Sequence, residues 1–364
     1  MAFQAKQIVY ATGLVSLIGY GSALAQTQTS PQAGGGTPIQ PVGEQPPEQE
    51  IQPEVQAIAE FGGVLTPKGR LVLEPEFQYS HESINRMTFE GVEILSTLLI
   101  GVFTAQDLDR DSYTASLTGR LGFTDRLELE MKVPYVYRDE TERVTVAEVD
   151  PEFTLDRELS GNSLGDIELA AHYQLNRGLN GSPFYIANLR YKSTTGEGPF
   201  DIRRSGGGIP QELPTGTGFH SIEPSLTVLL PSAPAVYFAN MGYVFNLEDN
   251  VNEPVGDIFV GDVDPGDAVR LSFGMAYSIN PRTSFTLGYK NDFIGKTKTQ
   301  FFDPDAGGTT TQSSTTLNVG SLLLGWSYQL NQDVSVNLGL ELGVTEDAPD
   351  TMLTLRMPFG MDAF

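Results

Sequence analysis

Val334-Ser335-Val336-Asn337-Leu338-Gly339-Leu340-Glu341-Leu342-Gly343-Val344 alternates without a break: each even position holds Val or Leu, and each odd one Ser, Asn, Gly or Glu. Side chains of an extended strand point to opposite faces with period two, so one face of this segment is wholly apolar and the other small and polar with one carboxylate. The next segment repeats the pattern, with Leu353, Leu355, Met357 and Phe359 set against Thr354, Arg356 and Gly360. A soluble β-sandwich shows the same alternation, because its inner faces are apolar and its outer faces polar. The decision between a sandwich and a membrane barrel therefore rests on how such segments repeat and how they are joined.

Working back from the C-terminus, the same reading assigns strands to residues 70–80, 111–121, 127–138, 164–175, 184–194, 218–230, 236–247, 267–279, 284–294, 316–330, 334–345 and 351–361, twelve in all. Short junctions rich in Asn, Pro, Asp and Gly join them in pairs, such as Asn280-Pro281-Arg282 and Asn331-Gln332-Asp333. Between the pairs run long polar connections, 81–110, 139–163, 195–217, 248–266 and 295–315, with a shorter one at 346–350. Strict alternation of short and long connections is the pattern of outer-membrane barrels, whose turns are short on one side and whose loops are long on the other. A sandwich has no reason to sort its loops by parity. The predicted fold is all-β, a transmembrane antiparallel up-and-down barrel over residues 70–364 with both termini periplasmic. Tyr79, Tyr135, Tyr137, Tyr185, Tyr191, Tyr237, Tyr243, Tyr277, Tyr289, Trp326 and Tyr328 collect toward strand ends, where amphipathic rings prefer the headgroup zone.

The region before the barrel divides by composition. Lys6, the apolar run Ile8–Tyr20 and Ala23-Leu24-Ala25 make residues 1–25 a signal peptide, with a membrane anchor as the alternative. Residues 26–54, rich in Gln, Pro and Gly, read as a disordered periplasmic linker. Over 55–69, Val55, Ile58, Ala59 and Phe61 form a small apolar stripe. It suits a short helix serving as a plug, or a linker end ordered only by packing.

Alternation also selects the residues that line the lumen. Glu74, Glu76, Arg120, Glu128, Glu130, Lys132, Arg138, Glu168, His172, Arg190, Lys192, Glu223, Lys290, Asp292, Glu341 and Arg356 share the polar parity and are expected to be pore-lining. Both signs are present, so cross-strand pairing is expected to brace the wall. Twelve strands lie between the eight that fill with side chains and the sixteen that leave an open channel, which predicts a narrow or plugged pore.

Several function classes are excluded or weakened. The chain of 364 residues carries a net charge of −24, which leaves no basic stripe for nucleic acid. It has no cysteine, as is common in envelope proteins, and no G-x-S-x-G or H-E-x-x-H pattern. Of its three histidines, His220 adjoins Ser221, which puts the two on opposite faces of a strand and rules out a dyad. Asp107, Asp109 and Asp111 alternate in one connection but lack the remaining ligands and the glycine of a calcium loop. No enzyme, cofactor or metal site is expected. The partners expected are outer-membrane lipid, the barrel-assembly machinery, and a transported solute or secreted polypeptide. An envelope barrel acting as a structural or adhesive element through its acidic loops is the alternative function.

Leu65-Thr66-Pro67-Lys68-Gly69-Arg70-Leu71-Val72-Leu73-Glu74-Pro75, Gly122-Phe123-Thr124-Asp125-Arg126-Leu127-Glu128-Leu129 and Val133-Pro134-Tyr135 resemble the barrel family called putative transporter, or "MetA-pathway of phenol degradation". Within it the chain looks most like the export pore of the functional-amyloid (Fap) system. The resemblance runs from about residue 62 to the C-terminus and implies a twelve-stranded outer-membrane transporter with an N-terminal plug, and amyloid export as its work. That pore also carries a coiled coil before its plug and assembles as a trimer, whereas residues 26–54 here contain prolines and no heptads.

Overall fold

The computed structural model describes residues 65–84, 104–146, 153–177, 182–205, 208–255, 258–303 and 308–363. The expected signal segment, the linker and the plug residues Val55, Ile58, Ala59 and Phe61 lie outside the described residues. Regular structure among them is all β: β1 (Arg70–Ile84), β2 (Thr104–Thr124), β3 (Leu127–Val146), β4 (Phe153–Leu164), β5 (Glu168–Gln174), β6 (Phe184–Lys192), β7 (Ser221–Ser232), β8 (Ala235–Asn246), β9 (Asp249–Val255), β10 (Ile258–Asp264), β11 (Ala268–Asn280), β12 (Thr283–Ile294), β13 (Lys298–Asp303), β14 (Gly308–Ser313), β15 (Leu317–Gln329), β16 (Ser335–Gly343), β17 (Thr351–Arg356) and β18 (Phe359–Asp362).

The large sheet closes on itself. Its order is β1-β2-β3-β5-β6-β7-β8-β11-β12-β15-β16-β17, each strand antiparallel to the next, and β17 pairs back onto β1 with Glu76 opposite Arg356. β4 continues the β5 stave along β3, and β18 continues the β17 stave along β1. The barrel therefore has twelve staves, one for each segment read from the sequence. Closure removes the sheet edges, so every strand's backbone is paired within lipid, where no water would satisfy it.

Burial along the staves is inside out. On β7 the residues Ser221, Glu223 and Thr227 are buried while Ile222, Leu226 and Leu230 are exposed; Met241 and Phe273 on neighbouring staves are 61% and 58% exposed. Meanwhile Glu74 and Glu76 are 3% and 7% exposed. A water-soluble sandwich with this distribution would turn its greasy face to solvent, at roughly 25 cal/mol per Å² of apolar surface. In lipid the same surface is at rest. A 12-residue strand such as β7 is about 40 Å long and, tilted at about 45°, rises about 28 Å, enough for the hydrocarbon core. No helix among the described residues is long and apolar enough to cross a membrane; the crossing is made by strands. Rings on the outer face cluster by level, with Tyr79, Tyr113 and Tyr137 in a row at centroid spacings of 5.1 and 6.1 Å toward the long-loop end, and Trp326 stacked on Tyr328 toward the short-turn end.

The long connections depart from the irregular loops expected. β1, β2, β3 and β4 run on past the apolar band as a paired ladder, from Ser83↔Asp109 to Arg143↔Asp156. Beyond the lipid both faces meet water, so outward positions turn polar and the alternation that marks a strand disappears while its hydrogen bonds continue. The connections after β8 and β12 fold into hairpins that join as a separate four-stranded sheet, β14-β13-β10-β9. It has a small core of its own, with Val255, Val260, Val263 and Phe301 packed on Phe200 and Phe219.

Candidate functional site

The barrel interior is the candidate site, and two chain segments enter it. At the short-turn end, the residues just before β1 cross the inner wall as a strap. Gly122 of β2 faces inward there, and a Cβ on it would lie 2.0 Å from the Pro67 carbonyl oxygen, so only glycine lets the strap pass. The Thr66 N–H donates to Glu128 Oε2 at 2.7 Å, and Leu65, 6% exposed, packs with Ile186, Leu229, Phe238 and Leu323. These four belong to β6, β7, β8 and β15, none of them a neighbour of β1 in the ring. They make an apolar floor in an otherwise polar lumen, flanked by Phe184 and Val236.

At the long-loop end, the connection between β6 and β7 folds inward. Leu213, Pro214 and Thr215 are buried, and the Leu213 carbonyl oxygen lies where a Cβ on Gly161 of β4 would be, 2.0 Å from that position. Arg138 Nη1 donates to the Pro214 carbonyl at 2.8 Å, Leu213 N–H donates to the Ser160 carbonyl at 3.1 Å, and Asp166 takes hydrogen bonds from Gly196 N–H (3.1 Å) and Thr217 N–H (2.8 Å). Asp166 sits in the break between β4 and β5. The two carboxylate oxygens thus pin both arms of the loop to the wall.

Between strap and loop the wall is charged and paired. Glu76 accepts from Lys132 Nζ at 2.9 Å and Arg356 Nε at 2.5 Å, with Ser116 Oγ at 3.1 Å, tying β1 to β3 and to the closing strand β17. Arg120 Nη2 lies 2.7 Å from Glu74, and its Nε 3.2 Å from Glu130, which in turn stands 3.8 Å from His172 Nε2. Further round, Arg190 is 3.6 Å from Glu168 and 4.0 Å from Glu223, Arg270 bridges Glu223 (3.0 Å) to Asp292 (3.1 Å), and Lys290 reaches Glu341 at 2.5 Å. Lys192 stands in register between Glu168 and Ser221. Like-signed neighbours are interleaved with their opposites, and the low exposure of most of these groups makes the pairing matter more than on an open surface.

Four features were missed in the sequence reading. Arg270 shares the parity of Ser272 and was findable by the rule that selected the others. The polar chain of Asn188, Ser225, Thr227 and Asn240 carries no charge and so raised no signal; Asn188 Nδ2 donates to Ser225 Oγ (3.1 Å) and Thr227 Oγ1 (3.0 Å), and Asn240 Nδ2 to Thr227 Oγ1 (2.8 Å). Arg110, which pairs with Glu140 and lies 3.8 Å from Glu82, sits in what read as a loop. The inward fold of 210–217 was signalled only by the glycines 196 and 216, which meet backbone to backbone. The histidines are dispersed: His81 contacts Asp111 at 2.9 Å on the outer face, His220 stacks on Tyr191, also outside, and His172 is within.

No family model matches the chain. Among solved structures, it is similar to the COG4313 outer membrane channel from Pseudomonas putida F1, at 12% identity over 84% of this chain and 99% of that one, with a TM-score of 0.55. A Pseudomonas aeruginosa FadL homologue aligns at 8% identity over 86% and 98% of the two chains with a TM-score of 0.40, and the Pseudomonas putida toluene transporter TodX at 12% over 82% and 90% with 0.35. At 12% identity the likeness to the COG4313 outer membrane channel is one of fold alone.

Proposed function

We propose that this protein is an outer-membrane channel that passes a small solute through a narrow lumen gated by its N-terminal strap, with both termini on the periplasmic side. The observation that carries this reading is the strap itself. Leu65 is buried in a floor contributed by four strands away from β1, and the strap is tied to the wall by hydrogen bonds from Thr66 N–H to Glu128 Oε2 and from Gly69 N–H to the Gly122 carbonyl. Burial of one leucine is worth about 2 kcal/mol, small enough to be reversed on the timescale of gating. The residues that line the passage are those of the paired wall, Glu74 to Arg356. Export of an extended polypeptide, which the resemblance to the amyloid pore implies, requires the strap and the 210–217 loop to leave together. A small solute requires only the strap to move.

Planar-bilayer recording tests the proposal. Deleting residues 26–66, or replacing Gly122 with Val to push the strap off the wall, is expected to raise open probability at least tenfold over the flickering wild type. An unchanged trace in both variants overturns gating, and a silent bilayer for all three proteins favours the structural or adhesive reading.

A further inference from the structure

We propose that Glu128, Glu130 and His172 form a site for a divalent transition metal of the zinc class on the inner wall. The three residues offer ligand atoms that all lie within 4.8 Å of one another. The register explains why they converge: His172 of β5 stands directly opposite Glu128 of β3, and Glu130 is two residues further along the same face. Tetrahedral zinc with bonds of about 2.0–2.2 Å holds its ligand atoms about 3.4 Å apart. The 3.8 Å between His172 Nε2 and Glu130 Oε2 needs only a small side-chain rotation to meet that.

The orientation of the imidazole suits ligation. Asn188 spends its amide hydrogens on Ser225 Oγ and Thr227 Oγ1, which turns its Oδ1 to His172 Nδ1 at 2.8 Å. An amide oxygen accepts, so Nδ1 carries a proton and Nε2 is the nitrogen turned to the carboxylates; release of the Nε2 proton leaves the lone pair that a metal takes. This is the outer-shell arrangement that prepares a histidine to ligate. Local charge favours a cation: Glu74, Glu128 and Glu130 gather at one place, with the Arg120 guanidinium in contact with Glu74 and Glu130. An imidazole with two carboxylates suits zinc, whereas calcium and magnesium require more oxygen ligands than this wall supplies.

The test uses the untagged full chain in detergent, stripped with chelator and titrated with zinc by calorimetry, with bound metal counted by mass spectrometry. One zinc per chain is expected, undisplaced by excess magnesium or calcium. His172→Gln and Glu130→Gln are each expected to weaken binding more than tenfold, and Asn188→Leu, which removes no ligand, about tenfold. Glu341→Gln, elsewhere on the wall, should leave affinity unchanged. Heat-modifiable gel mobility gives the folded fraction of each variant, to which binding is normalised. Substoichiometric zinc in the wild type, or equal affinity in folded His172→Gln, overturns the proposal.

Discussion

The inner wall on β1, β2, β3 and β5 and the inner wall on β6, β7, β8 and β15 both line the short-turn half of the lumen, and they are built differently. The first is charged, with Glu74, Arg120 and Glu130 in one set of pairs and Glu76, Lys132 and Arg356 of the closing strand in another, and with Glu128 beside them. The second is apolar, with Ile186, Leu229, Phe238 and Leu323 around Leu65. Paired charges are directional and hold strands in register, so the charged half fixes the barrel's closure. Apolar contacts are non-directional and release at modest cost, so the greasy half is suited to holding a segment that must leave. If the strap gates the channel as proposed, the contrast puts stiffness on one side and the moving contact on the other.

Breaking the apolar side should have the largest effect. Phe238→Ala removes the ring that reaches across Gly274 and Gly288, and should cost about 3 kcal/mol in urea unfolding while raising the open probability. Unfolding unchanged by this substitution would mean that the floor is not packed. Breaking the charged side should cost less stability and leave gating alone. Glu76→Gln is expected to lower stability by about 2 kcal/mol, below the value for a dry buried pair because lumen water reaches Lys132. If it opened the channel as widely as Phe238→Ala does, the division of labour would fail.

The smallest effect concerns the mouth. Residues 139–158 hold eight acids against two arginines, and 248–267 hold seven acids and no base. Several are neutralised within the structure, among them Glu140 and Glu142 by Arg110 and Arg157, and Asp264 by Lys298. A modest cation preference should appear in reversal potentials at low salt and fade as screening shortens to about 8 Å at physiological ionic strength. Anion preference at low salt would contradict it.

The strand segments, the parity of their loops and the polarity of each face were written in the sequence, because alternation in a membrane-spanning strand is a local property: each residue's side is set by its own position in the chain. Even the charged wall could be enumerated that way, Arg270 included. Where the chain left the lipid the rule stopped working, and β9, β10, β13 and β14 went unread because residues with water on both sides need not alternate. The tertiary structure alone decided which charges meet, since a pair such as Glu76 and Arg356 is 280 residues apart in sequence and is joined only when the last strand closes on the first. It likewise decided that Leu65 lies among four strands that do not neighbour β1, that Gly122 and Gly161 are places where other segments press against the wall, and that Glu128, Glu130 and His172 come together. Those facts depend on curvature and closure, and no local pattern encodes the distance between two sides of a barrel.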